Sequence, residues 1–293
     1  MQEQQDISSL TGASGLDGKL DRRTFLQAAL GAGFAAAALP VCGQTVIHTD
    51  SEGLLADRVM LDIAGQQVPV YRAQPQGKRD LPVVLVVSEI FGVHAHIADV
   101  ARRFAKQGYL ALAPELFVRQ GDAAGQPSIA ALLKEVIAKV PDAQVIGDLD
   151  AVADWAGKNG GDLNKLAITG FCWGGRIAWL YAAHNPAVKA GVAWYGRLNG
   201  DAGVLTPRHP IDIAATLKTP VLGLYGAKDG GIGAEAIFKM QTELAKGGSR
   251  SEFKIYPNSG HAFHADYRPS YVEADAKDGW ARCLAWFREH GVA

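Results

Sequence analysis

Short apolar runs along the chain alternate with segments whose apolar positions recur every three or four residues, so strands and helices are expected in turn. Residues 59–63 and 68–72 read as a hairpin around Gly65-Gln66. Residues 82–87 form an unbroken run dominated by valine, as in a strand buried on both faces. Helical spacing follows over 97–107 and stops at Gly108, before a short apolar strand at 109–113. Helices are expected over 129–140 and 145–157, then a strand at 165–169, a glycine-rich turn and a helix through Ala183. Strands at 188–194, 220–225 and 253–256 and helices at 234–245 and 272–290 complete the pattern. Alternating β and α units with short connections specify an α/β fold, a mostly parallel sheet covered by helices on both faces. Reactive groups in such sheets gather at the C-terminal strand ends.

Composition narrows the classes without choosing a chemistry. Hydrophobic residues make up 48% and charged residues 20% of 293, enough apolar material for a full core. The net charge of −1 offers no basic excess for nucleic acid and no charged tail. Three cysteines, Cys42, Cys172 and Cys283, are too few for a disulfide framework. His94 and His96 form a His-x-His pair, but no third ligand joins them at metal spacing, so they read as loop or helix-start residues and no metal or organic cofactor is expected. Cys283 falls on the stripe Trp280, Cys283, Leu284 and Phe287, which makes it a packed core thiol.

The first 43 residues stand apart. A polar stretch leads to Arg22-Arg23, and an uncharged Ala/Gly-rich run follows from Ala28 to Val41, too short to span a bilayer. Paired arginines before a weakly apolar run resemble a twin-arginine export signal, although Asp21 and Gln27 depart from its usual residues. Cleavage before Gln44 would release residues 44–293 as a single periplasmic domain with no membrane span; lipid attachment at Cys42 is disfavoured by the bulk of Val41. An amphipathic or buried N-terminal helix is the blander alternative, but the glycines and Pro40 suit it poorly.

The chemistry concentrates at Gly170-Phe171-Cys172-Trp173-Gly174-Gly175, between the strand at 165–169 and a helix. That context resembles the nucleophile elbow of the α/β-hydrolase fold, in which a sharp turn lifts one side chain above the sheet. Glycines at 170 and 174 would keep side chains out of the strand–helix junction, and the helix start would favour a thiolate at Cys172. Asp229 follows the strand at 220–225, and His261 follows the strand at 253–256, in the order nucleophile, acid, histidine. An aspartate before Gly230 is by itself a common turn residue, and a loop histidine is by itself merely exposed; their agreement in order and strand-end position is what marks them. Asp229 would hold the imidazole tautomer, and His261 would sustain the thiolate and later activate water. His264 lies close enough in sequence to line the site.

Taken with Glu89-Ile90-Phe91-Gly92-Val93, Ala113-Pro114-Glu115-Leu116, Gly147-Asp148-Leu149-Asp150 and Gly260-His261-Ala262-Phe263, the elbow resembles the dienelactone hydrolase family (carboxymethylenebutenolidase) over about residues 55–290. By sequence alone Glu89 reads as a structural carboxylate salt-bridged near the sheet end; the resemblance implies instead that it sits against the Cys172 thiol and takes its proton when substrate arrives, with burial raising the carboxyl towards a base. It implies oxyanion donors at the backbone N–H groups of Ile90 and Trp173, and hydrolysis of an ester or enol-lactone through an acyl-thioester. One departure concerns the substrate. The family holds a substrate carboxylate with arginines, one of them a few residues past the histidine. Here that place falls near Ala265, the nearest arginine is Arg268, and 129–140 carries Lys134 and Lys139 but no arginine. Trp173, Phe263 and Tyr267 are therefore expected to line an apolar pocket, with Arg268 close by. Partners are expected to be small esters or lactones and the chain a monomer. The same acyl-cysteine would also serve an acyltransferase or thioesterase, and a non-catalytic exported binding protein is the alternative from another class.

Overall fold

The computed structural model describes residues 45–293; the expected export segment at 1–43, with Cys42, lies outside the described residues. Eight strands form one sheet in the order β1-β2-β4-β3-β5-β6-β7-β8. They are β1 (Leu54–Ile63), β2 (Gln66–Pro75), β3 (Leu81–Val87), β4 (Leu110–Pro114), β5 (Gly161–Phe171), β6 (Val188–Trp194), β7 (Val221–Gly226) and β8 (Glu252–Tyr256). Strands β1 and β2 join antiparallel at one edge, and the remaining six run parallel. Seven α-helices are described: α1 (Ala95–Lys106), α2 (Ile129–Glu135), α3 (Asp142–Lys158), α4 (Trp173–His184), α5 (Pro210–Ile213), α6 (Ala234–Lys246) and α7 (Glu273–Glu289). None of the helices described is long and apolar enough to cross a membrane.

The valine-rich β3 shows why the sheet is sandwiched. Its side chains alternate between two cores: Val83, Leu85 and Val87 pack on the side of α3, α4 and α6, and Val84 and Val86 on the side of α1 and α7. Cys283, Leu284 and Phe287 face the second core, as their spacing predicts.

Three elements differ from expectation. The hairpin is longer, and Ile63 pairs with Gln66, so its turn is Ala64-Gly65 rather than Gly65-Gln66. Both turn residues have positive φ, 54° and 81°, the geometry that matches strand twist in a two-residue hairpin. The helix expected over 129–140 breaks after Glu135, where Val136 turns off the axis at φ −119° and buries its side chain, leaving a short 3₁₀ turn at Ile137–Lys139. Strand β5 starts earlier and absorbs the extra length between Asp162 and Leu166, opposite a register shift at Pro82/Val83 of β3.

Candidate active site

Strand pairing decides which loops meet. Val87 pairs with Gly170, Phe171 with Trp194, Trp194 with Leu224, and Gly226 with Tyr256. The residues just past these ends, Glu89 and Ile90, Cys172, Tyr195, Asp229 and His261, therefore gather above the C-terminal ends of the parallel strands.

Cys172 links β5 to α4 at φ 56° and ψ −114°. Such a conformation costs a non-glycine residue about 1–3 kcal/mol, so the surrounding chain must hold it. Its N–H donates to the Trp194 carbonyl at 3.0 Å, and its carbonyl accepts from Gly175 N–H at 3.0 Å. A Cβ on Gly170 would fall on the Gly174 carbonyl, and one on Gly174 would fall on the carbonyl oxygens of Val87 and Ser88. Strand and helix thus cross backbone against backbone, as the two glycines predict. Trp173 is the first residue of α4, so its N–H is one of the donors a helix leaves free at its start. Ile90 lies three residues past the paired end of β3 and is fully buried.

His261 and Asp229 are both buried, with Nδ1 of the histidine 2.7 Å from Oδ2 of the aspartate. The other aspartate oxygen accepts from Gly231 N–H at 2.9 Å, which fixes the carboxylate plane. Nε2 of His261 is buried without an oxygen or nitrogen partner among the described residues. Burial lowers the pKa of the ring, but the Cys172 sulfur, by charge and hydrogen bonding, and Asp229 outweigh it and push the imidazole up to about 10. The ring faces sulfur on one side and carboxylate on the other, and both favour its protonated form.

Glu89 is buried, and its Oε2 accepts from the Tyr267 hydroxyl at 2.7 Å and lies 3.6 Å from His94 Nε2. Its charge and that of Cys172 both bear on Tyr195 and Arg268, so the two belong to one site. The expected upward pKa shift is not found. Burial does raise the carboxyl, but the Arg268 charge and the His94 contact overcome it and hold Glu89 well below the usual carboxylate range.

Arg268 is buried; its Nε donates to the Tyr267 hydroxyl at 3.1 Å, and its guanidinium lies over the Phe91 ring at 4.7 Å. Tyr267 thus accepts from Arg268 and donates to Glu89. Trp173 packs edge-on against Phe117, with centroids 4.8 Å apart. Phe263 is fully buried, its ring against Trp194, Tyr195 and Tyr256. His264 is buried too, tilted against Trp194 at 4.5 Å between ring centroids. Lys134 and Lys139 of the α2 region pair with Glu135 on the surface.

His94 is the site residue that sequence reasoning passed over. It caps α1, its Nδ1 accepting from His96 N–H at 3.3 Å. Nδ1 is therefore the unprotonated nitrogen, and Nε2–H is the one that faces Glu89. Burial, with His96 and Arg268, pulls this histidine below its ordinary value although Glu89 opposes them, so it stays a neutral donor. A second network ties the loop after His261 to α1: Asp266 accepts from Arg103 at 2.5 Å and lies 3.2 Å from His96 Nδ1. The available signal was a histidine five residues past Glu89, directly before a helix.

A cavity of about 590 Å³ opens beside these groups, lined by Phe91, Val93, His94, Glu115 and Phe117, with Arg58 at its wall. His94 is shared between this cavity and Glu89. Cys283 is fully buried, and burial raises its thiol well above the ordinary value.

The profile of the dienelactone hydrolase family matches residues 68–291. A Methylorubrum extorquens protein provisionally named carboxymethylenebutenolidase is 55% identical over 275 residues, 94% of each chain. An Escherichia coli K12 protein with the same provisional name is 52% identical over 260 residues, covering 88% of this chain and 96% of its own. The crystal structure of a Klebsiella pneumoniae protein provisionally named dienelactone hydrolase superposes with a TM-score of 0.79 at 54% identity, over 80% of this chain and 99% of that one.

Proposed function

The chain belongs to the dienelactone hydrolase family, and from that premise we propose that it hydrolyses carboxylic esters or enol-lactones through an acyl-thioester on Cys172. The observation that carries this reading is the His261 imidazole, held near pKa 10 between the Cys172 sulfur and the Asp229 carboxylate. An imidazolium in that place sustains a thiolate, the reactive form of cysteine. Cys172 Sγ attacks the ester carbonyl carbon, and the carbonyl π electrons move to oxygen. The Ile90 and Trp173 N–H groups stabilise that oxyanion. The C–O bond to the leaving group then breaks, and His261 gives its proton to the departing oxygen. Water, deprotonated by His261, attacks the thioester and releases the acid, and sulfur and histidine return to their starting states.

Glu89 has a more restricted role than an acid–base group in an apolar pocket. With Arg268, Tyr267 and His94 around it, its carboxylate is too weak a base to take a thiol proton. Since His261 already sustains the thiolate in this reading, the Glu89 carboxylate serves to hold Tyr267 and to offset the Arg268 charge rather than to take a proton. The provisional name shared by the close relatives, carboxymethylenebutenolidase, fits an enol-lactone bearing a carboxylate. The cavity beside Phe91 and His94 has room for the part of the substrate beyond the reacting carbonyl.

The test is Cys172→Ala, assayed on phenyl acetate and on an enol-lactone, with folding checked by circular dichroism. Turnover is expected to vanish in a folded protein. A folded variant that keeps more than a few per cent of activity overturns the assignment.

A further inference from the structure

Tyr195 directly follows β6, beside the elbow, and is fully buried. Its ring stands edge-on to the His261 imidazole, with centroids 5.1 Å apart, and packs against Phe263. Its backbone sits at φ 39°, a conformation that few bulky residues adopt, and its N–H is pinned to the Leu224 carbonyl at 2.8 Å. The Tyr195 hydroxyl is buried and makes no hydrogen bond with any of the described residues.

A buried phenol left without a partner costs about 1–3 kcal/mol, and native proteins rarely tolerate it. Neighbouring tyrosines follow that rule: Tyr225 donates to the Gly196 carbonyl, Tyr256 to Asp278 and Tyr267 to Glu89. Phenylalanine would fill the same space without the cost. The hydroxyl therefore has no evident structural purpose, while the charges that bear on it are those of the site. Burial, then Glu89, Cys172 and Tyr267, raise the phenol well above its ordinary value against Arg268, so it remains a donor. Strain and an unmade hydrogen bond at one residue of an active site are what a group awaiting its ligand would carry.

We propose that Tyr195 contacts the substrate, its hydroxyl donating a hydrogen bond to an oxygen of the ester or lactone beside His261. This rests on the reading of Cys172 as the nucleophile. The ligand class is accordingly one with an acceptor oxygen close to the scissile bond, and the hydrogen bond that Tyr195 lacks is completed by that oxygen.

The test is Tyr195→Phe in the full chain, followed by three measurements. kcat/KM on phenyl acetate is expected to fall at least tenfold. The melting temperature is expected to hold or rise, because an unsatisfied group has been removed. The rate at which iodoacetamide alkylates Cys172 is expected to stay within twofold. A kcat/KM within threefold of the parent overturns the proposal. So does a fall in melting temperature of several degrees, which would make the hydroxyl structural. Cys172→Ala is run alongside. If that variant still turns over phenyl acetate, the nucleophile assignment fails, while the Tyr195→Phe comparison still reports whether the hydroxyl serves the reaction.

Discussion

His261 Nδ1 and Asp229 Oδ2 lie 2.7 Å apart with both side chains out of solvent, and the second carboxylate oxygen is fixed by the Gly231 N–H. The histidine can therefore present only Nε2 to the sulfur side. Asp229→Asn preserves the shape but offers an amide that can stabilise the wrong tautomer. Its kcat/KM is expected to drop by about 10³-fold with a small change in melting temperature. Steady-state kinetics on phenyl acetate would check this, and a loss under tenfold would remove Asp229 from its orienting role.

The raised His261 pKa also sets a stability slope. The folded ring titrates near 10 against an ordinary 6.5, so the folded state holds a proton that the unfolded state has released across that window. The stabilisation is fully present below about pH 6.5 and is lost as pH rises through about 10. Urea midpoints should fall mainly between pH 8.5 and 10, because at lower pH the unfolded Cys172 thiol still carries the proton that the folded thiolate has given up. In His261→Gln the decline should be shallower; parallel declines would place its source elsewhere.

Two described thiols differ in setting rather than in burial. Cys172 sits at the start of α4 and acts directly on His261, whereas Cys283 is sealed in the core with its thiol raised by burial. Iodoacetamide at neutral pH, followed by peptide mapping, should label Cys172 at least about tenfold faster. Preferential labelling of Cys283 would contradict the elbow assignment.

Two glycines should respond in opposite directions to alanine. At Gly174 the added Cβ meets the carbonyls of Val87 and Ser88, and backbone cannot step aside, so a loss above about 3 kcal/mol is expected. At Gly147, inside α3 and exposed, a Cβ meets nothing within 4 Å, so a gain of about 0.5–1 kcal/mol is expected. Thermal melts of both variants would decide.

Export is proposed from Arg22-Arg23 and the run that follows, all outside the described residues. Replacing both arginines with lysine should leave precursor in the cytoplasm. Fractionation that finds processed protein in the periplasm at parental levels would reject the twin-arginine route.

The parallel sheet and its elbow were legible because they are local. A valine run, a strand followed by Gly-x-Cys-x-Gly, and strand-end Asp and His each declare themselves within ten residues. The electrostatic state of Glu89 was not legible. Its partner Tyr267 lies 178 positions away, and the sign of the shift turns on whether burial or Arg268 dominates, which only packing decides. His94 was hidden for a related reason: its tautomer depends on where α1 begins, and its importance depends on what the loop after His261 brings to it. Arg268 looked displaced from the family's place when residues were counted along the chain. Counted in space, it reaches Tyr267 and bears on the charge of Glu89.

The contact between Gly174 and the Val87 and Ser88 carbonyls has a further consequence. It brings the main chain of the elbow directly against the stretch that leads to Glu89 and Ile90, so part of the spacing between the two is set with no side chain in between. Side chains around the cavity can then be exchanged without disturbing that main-chain contact. On the proposed reading, the chemistry belongs to the backbone and the choice of substrate to side chains that can be exchanged one at a time.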